Sequence, residues 1–226
     1  GKQEFYVKDE GSLRGALLEE VLDETKLVLN KKGESIGGTA LAKLIEQFDK
    51  VQTSINSISS KYPEALLSKL IYIPLLDGLK KEKAVKDWAK KLQKALNEDS
   101  RAGQSWKVSI EKNTDQGIYE PNVSFDQHGS TSNWSLPPSF FRSKTYKDMC
   151  AFGEDLSSML SKDSHFDLNG NQYPAADFGR SLDSMLKAAE KSFTISRYKG
   201  LGEMTAVQLS DTTMDPNARR LGQIAL

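Results

Sequence analysis

The residues best suited to chemistry in this chain run Arg197-Tyr198-Lys199-Gly200-Leu201-Gly202-Glu203-Met204. Two glycines spaced two apart let a backbone turn tightly and approach a ligand closely. Arg197 and Lys199 flank that turn with positive charge, and Glu203 follows it. By residue type the stretch fits a phosphate-contacting loop, and it fits a plain strand–turn–helix connection equally well. On an extended strand Arg197 and Lys199, at i and i+2, would project from one face while Tyr198 points the other way, into the core. Gly200 and Gly202 would then act through backbone shape, allowing angles that a Cβ would penalise by about 1–2 kcal/mol if either adopts positive φ.

A second candidate is the run Lys80, Lys81, Lys83, Lys86, Lys90, Lys91 and Lys94, interrupted by Glu82 and Asp87. Steps of three and four put Lys83, Lys86, Lys90 and Lys94 on one face of a helix. Such a face either stays solvated or meets a DNA backbone, where lysines read phosphate and not bases.

Other chemistry has little to work with. The single cysteine, Cys150, excludes an internal disulfide and a cysteine-based zinc site. It sits in a helical pattern with Met149 and Phe152, as a small core residue would. His128 and His165 are isolated beside turns. Asp167-Leu168-Asn169-Gly170-Asn171 superficially resembles a calcium loop, but Phe178 falls where the bidentate Glu is required. No metal site is therefore expected. The 31 basic residues balance the 31 acidic ones in 226, so a global basic charge does not announce a nucleic-acid binder. The mean hydropathy of -0.53 and the 38% hydrophobic content describe a soluble chain with a real core. No apolar run approaches the roughly 18 residues of a membrane span, and Gly1–Glu10 lacks the pattern of a signal peptide. A cytoplasmic setting is the expectation.

The elements that must position these residues follow from periodicity. Lys2 to Lys8 alternates like a short strand. Asp9 to Glu24 carries six acids against the single Arg14 and helical spacing at Leu13, Leu17, Leu18 and Val21, yet Leu17 to Asn30 also fits a hairpin turning at Asp23–Thr25. Leu41, Leu44, Ile45, Phe48, Val51, Ile55 and Ile58 share one face of a helix expected to be capped by Thr39. Tyr62-Pro63 breaks it before a short helix over Glu64–Leu70. Glu82–Asn97 is a helix with Val85, Trp88, Ala89, Leu92, Ala95 and Leu96 inward. Ser105–Glu111, Gly117–Phe125 and Gln127–Leu136 are three antiparallel strands, ended by Pro137-Pro138. A helix over Thr145–Ser161, an Asn169-Gly170 hairpin and a helix over Ala176–Ser192 follow. Phe193–Tyr198 reads as a strand, with helical turns over Gln208–Thr212 and Asn217–Leu221. The predicted fold class is α+β.

The run Ile195-Ser196-Arg197-Tyr198-Lys199-Gly200-Leu201-Gly202-Glu203-Met204, followed by Thr212-Thr213-Met214-Asp215-Pro216-Asn217-Ala218-Arg219-Arg220-Leu221, resembles a known pattern. It is similar to the C-terminal end of the TOPRIM domain in ATPase subunits of bacterial type IIA topoisomerases. Gly1–Glu10 resembles the strand that precedes the last TOPRIM helix of that family. Gly11 to Asp177 lies between them, like the large insert in the gyrase B family of many Gram-negative bacteria. Lys61-Tyr62-Pro63, Leu66–Pro74 and Gly103-Gln104-Ser105-Trp106-Lys107 extend the likeness into the insert, whereas topoisomerase IV counterparts usually lack one. Ser196 and Ser210 depart from the residues most common at those positions.

The resemblance implies an ATP-dependent type II topoisomerase that negatively supercoils DNA by double-strand passage. Its implied partners are DNA and the gyrase A subunit, in an A2B2 enzyme. It implies a division into a TOPRIM edge strand over 1–10, an insert domain of helices with a small antiparallel sheet over 11–177, and the TOPRIM end over 178–226. The ends of the insert should lie close together. It implies Mg²⁺ and ATP in the full-length protein, held by acids and a nucleotide-binding segment that this chain does not supply. The segment would contribute DNA contacts at Arg197, Lys199, Gly200, Gly202, Lys83, Lys86, Lys90 and Lys94, or only buttress neighbouring domains. No catalytic residue is assigned, and the chain by itself is expected to be inactive.

Overall fold

A computed structural model describes residues 6, 7, 9–196, 198 and 200–216. The first helix, α1 (Glu10–Leu22), starts where the Asp9 carboxylate accepts the Ser12 N–H at 2.7 Å, and its end runs straight into β1 (Thr25–Val28). The two readings of Asp9 to Thr25 thus resolve as a helix, with the Asp23 turn serving as its exit. The buried Thr25 hydroxyl donates to the Val21 carbonyl at 2.7 Å and fixes that exit. The expected strand at Lys2–Lys8 and the expected turn at Asn217–Leu221 lie outside the described residues, apart from positions 6 and 7, which form no strand.

The short strand β2 (Ser35–Gly37) leads into α2 (Gly38–Ile58), whose buried stripe is Leu41, Leu44, Ile45, Phe48, Val51 and Ile55. Thr39 is not its cap. The chain enters through Gly37, with Gly38 at φ 51, so Thr39 already lies inside the first turn. Pro63, which fits an extended backbone, is the cap of α3 (Glu64–Leu70). Next come α4 (Glu82–Asn97), β3 (Gln104–Asn113), β4 (Ile118–Gln127), β5 (Ser130–Ser135), the short α5 (Pro138–Arg142) and α6 (Lys144–Met159). The hairpin β6 (His165–Leu168) and β7 (Asn171–Pro174) turns at Asn169 (φ 53) and Gly170 (φ 84), the left-handed pair that a type I′ turn requires. The last long helix, α7 (Phe178–Glu190), buries Phe178, Leu182 and Met185 in the common core.

The described residues therefore form a mixed α and β structure with two small antiparallel sheets. One is the expected β3-β4-β5. The other, β2-β1-β6-β7, pairs Leu27 with Phe166, both fully buried. None of the described helices is long and apolar enough to cross a membrane.

Phe193–Tyr198 is not a strand over its described residues. An extended segment becomes a strand by pairing, and none of the described strands takes it as a neighbour. Leu201–Glu203 forms a 3₁₀ turn, followed by α8 (Ala206–Leu209) and a π turn at Ser210–Met214. A reciprocal capping box between Thr205 and Gln208 starts α8. Beyond Phe193 no described side chain is buried, and Val207 (70%) and Met214 (65%) are strongly exposed.

Charged side chains tie the helices at two places. Arg14 of α1 bonds Asp49 of α2 at 2.9 Å and lies 3.8 Å from Asp183 of α7. Asp99, just past α4, receives the Arg180 guanidinium at 3.0 and 2.8 Å and Lys69 of α3 at 2.6 Å. Asp177 caps α7 by accepting the Arg180 N–H at 3.1 Å. The Tyr72 hydroxyl accepts the Phe178 N–H at 2.8 Å and donates to Asp177 at 3.4 Å. Burial and the Asp177 charge push the Tyr72 phenol well above its usual range, so it stays neutral.

Candidate nucleic-acid interface

Helix α4 is strongly two-faced. Val85, Trp88, Ala89, Leu92 and Leu96 are buried, with Trp88 edge-on to Phe141 at 5.4 Å between ring centres. Ala95, expected inward, is half-buried. The opposite face presents Lys83, Lys86, Lys90 and Lys94, all exposed, and the spacing argument places these four on one face as expected. Their charges are not equivalent. Lys86 is paired with Glu82 one turn before it. The hydrogen bond holds the Glu82 carboxyl below its usual range and Lys86 above its own. Lys83, Lys90 and Lys94 make no ion pair among the described residues. Lys90 and Lys94 line an open groove of about 450 Å³ with Gln93, Asn97 and Glu98.

Two amides that sequence reasoning passed over hold this helix in place. Asn97 accepts the Trp106 N–H at 2.9 Å and donates to the Trp106 carbonyl at 2.8 Å. Gln93 accepts the Val108 N–H at 2.8 Å. Together they take three backbone groups on the outer edge of β3, as a neighbouring strand would take them with backbone. The signal was there: two amides four residues apart, bordering an apolar stripe. Lys107 is exposed on β3, and Lys112, on the opposite face of that strand, lies close enough to Glu82 to help lower its pKa.

The second group of candidates is described only in part. Arg197 and Lys199 lie outside the described residues. Tyr198 does not enter a core. It is 40% exposed, and its hydroxyl accepts the Gln208 side-chain N–H at 2.8 Å, because the segment folds back on its own capping box. Neither Gly200 nor Gly202 has positive φ, and a Cβ on either would meet no described atom within 4 Å. The Gly200 carbonyl instead accepts the Glu203 N–H at 3.1 Å, closing the 3₁₀ turn with ordinary backbone. These glycines therefore leave open surface and do not relieve strain.

Among the described residues no three His, Cys, Asp or Glu side chains gather closely enough to hold a metal ion. The Asp167 carboxylate accepts the Gly170 N–H at 2.8 Å, which makes the calcium-like stretch a turn. Cys150 is buried and its thiol is pushed above its usual range by desolvation.

The family described as the DNA gyrase B subunit insert domain matches residues 25–189, and that described as the DNA gyrase B subunit carboxyl terminus matches residues 190–226. The DNA gyrase B subunit of Rickettsia typhi is 26% identical over 227 residues, covering 99% of this chain and 27% of that protein. The type 2 topoisomerase B subunit of Aquifex aeolicus is 24% identical over 226 residues, covering 100% and 27%. The DNA gyrase B subunit of Campylobacter jejuni reaches 53% identity over 45 residues, or 20% of this chain. The chain thus spans about a quarter of the length of the relatives that it matches throughout. With one match running from β1 to α7 and the other from α7's last residue onward, the chain belongs to the DNA gyrase B subunit insert-domain family.

Proposed function

We propose that this chain works as part of a longer ATP-dependent gyrase-type topoisomerase polypeptide, to which it contributes a DNA-backbone contact and interdomain packing but no catalytic step. The observation that carries this reading is the lysine face of α4, with Lys83, Lys90 and Lys94 free of acidic partners among the described residues. Lysines so placed bind phosphate without regard to sequence, as strand passage at many DNA sites demands. ATP, Mg²⁺ and the gyrase A subunit belong, in this proposal, to the whole enzyme. Arg197 and Lys199 would add phosphate contacts, with Gly200 and Gly202 giving the backbone room for close approach. The insert would run through α7, whose Phe178 and Leu182 are fully buried in its core, and hand over to a TOPRIM end near residue 190. That is later than sequence reading alone suggests.

Duplex binding across a salt series tests the lysine face. Changing Lys83, Lys86, Lys90 and Lys94 together to Glu should abolish most affinity and flatten the logarithmic salt dependence by roughly 3 to 4 units. Lys90 and Lys94 should carry more of the effect than Lys86, which Glu82 already neutralises. Unchanged binding would leave the buttressing role, in which α4 and its clasp to α7 serve neighbouring domains without touching DNA.

A further inference from the structure

The two edges of the sheet β3-β4-β5 are treated differently. Antiparallel strands point alternate residues' backbone groups toward and away from each neighbour. On β3 the outward residues include Trp106 and Val108, whose N–H groups are taken by Asn97 and Gln93. The register then turns Pro121, Val123, Phe125 and Gln127 of β4 toward β5. The Leu136 N–H donating to the Pro121 carbonyl at 2.9 Å confirms that phase. Trp134, Ser132 and Ser130 therefore spend their backbone groups on β4. Thr131, Asn133 and Ser135 aim theirs outward. All three are exposed, and none of the described residues takes those groups. β5 also lacks the devices that blunt free edges, since Ser130–Ser135 holds no charge, no proline and no bulge.

We propose that β5 pairs antiparallel with β5 of a second copy of this chain, about a two-fold axis through Asn133. The strand is its own complement in that register. Thr131 faces the partner copy's position 135, and Asn133 faces its own counterpart. Each of these residues supplies one donor and one acceptor to the other copy. No like charges are opposed, and Thr–Ser and Asn–Asn are favourable cross-strand neighbours. Between them Ser132 faces position 134 of the other copy. The row Trp106–Phe125 (4.4 Å between rings) ends at Ser132 through the Phe125–Ser132 pairing, and the small serine leaves the next place for an indole. Trp134, half-exposed on that same face, is the indole that the symmetry delivers. Pro137 and the Gly129 turn stop the pairing at either end. A single strand pair buries less than the ~1,000 Å² of a stable interface, so the association is weak and concentration-dependent.

Sedimentation of the 226-residue chain over a concentration series reads this directly. The average mass should climb from the 25.1 kDa monomer toward twice that value as concentration rises. N133K and N133D should each raise the dissociation constant at least roughly tenfold, because like charges then meet across the axis. An equimolar mixture of the two should associate again. The exposed side chain at 133 makes no described hydrogen bond, so both variants should keep the wild-type circular dichroism. Ser132→Trp, which fills the place of the partner's indole, is the independent second variant and should also leave a monomer. A chain that stays monomeric at every concentration overturns the proposal, as does a dimer that N133K leaves intact. A monomer that instead takes up an added extended peptide along β5 also overturns the second copy as occupant.

Discussion

Replacing Gly153 by alanine should cost this fold about 3 kcal/mol or more. Gly153 sits where α6 crosses the end of α3, and an ideal Cβ there would lie 1.6 Å from the Ile71 carbonyl oxygen. The obstacle is backbone, so no rotamer change relieves it and the two helices must separate. That separation would pull at two other links across the same seam, the Leu76 N–H to the Tyr146 hydroxyl at 3.0 Å and the Cys150 thiol to the Ile73 carbonyl at 3.8 Å. For a chain of this size the melting temperature should fall by about 6–12 °C. Cys150, the sole cysteine, lies one turn before Gly153 and is buried, so it reports the same event locally. Its labelling by a thiol reagent should accelerate roughly a hundredfold if opening of this seam limits access, tenfold for each 1.4 kcal/mol. Gly15→Ala is the matched control. It lies exposed in α1 with nothing within 4 Å of its added Cβ, and it should gain about 0.5–1 kcal/mol. A Gly153→Ala chain as stable as wild type would mean that α6 and α3 do not meet as described.

The contrast between these glycines shows where sequence stops informing. Gly15 and Gly153 both sit in helical patterns, and only the crossing partner, Ile71, distinguishes them. Local signals were legible. Asn169-Gly170 specified its turn, Pro63 its break, and the 3–4 spacing of Lys83, Lys86, Lys90 and Lys94 their common face. The first sheet could be read because its three strands are consecutive. The second could not, because Leu27 finds Phe166 across most of the chain and β2 is three residues long. At the interface the charges were visible but their neutralisation was not: Glu82 takes Lys86, while Asp87, which also interrupts the run, pairs with none of the lysines in the described ion pairs. Gln93 and Asn97 escaped notice because an amide on a helix reads as solvated until a strand edge lies beside it. The glycine pair at 200 and 202 promised unusual backbone that the 3₁₀ turn does not use.

The second large effect is expected at Asp99. Its carboxylate is shared by Arg180 and Lys69, and those bonds hold its pKa far below the usual carboxylate value, with the Arg180 hydrogen bond contributing most. Lys69 is only 15% exposed, so removing Asp99 strands a nearly buried ammonium with Asp177 at 3.8 Å as its remaining partner. Breaking a fully buried pair costs about 3–5 kcal/mol. The carboxylate here is 35% exposed and partly screened, so about 2 kcal/mol is the expected loss for Asp99→Ala. The pH dependence has a definite sign. A folded-state pKa below the unfolded value, about 3.9, gives stabilisation that is complete above that value and fades as pH falls through the folded one. The gap between wild type and Asp99→Asn should therefore stay constant from about pH 5 to 8 and close only in acid below about pH 4. Adding Lys69→Met to Asp99→Ala should recover much of the loss, because the stranded charge, and not the missing bond, is its main cause. If the second change instead adds its own full penalty, Lys69 is held by solvent and not by this clasp. The clasp begins one residue after the end cap of α4 and closes on the first turn of α7, so its strength fixes how the lysine face is carried relative to the helix that leads into the C-terminal segment.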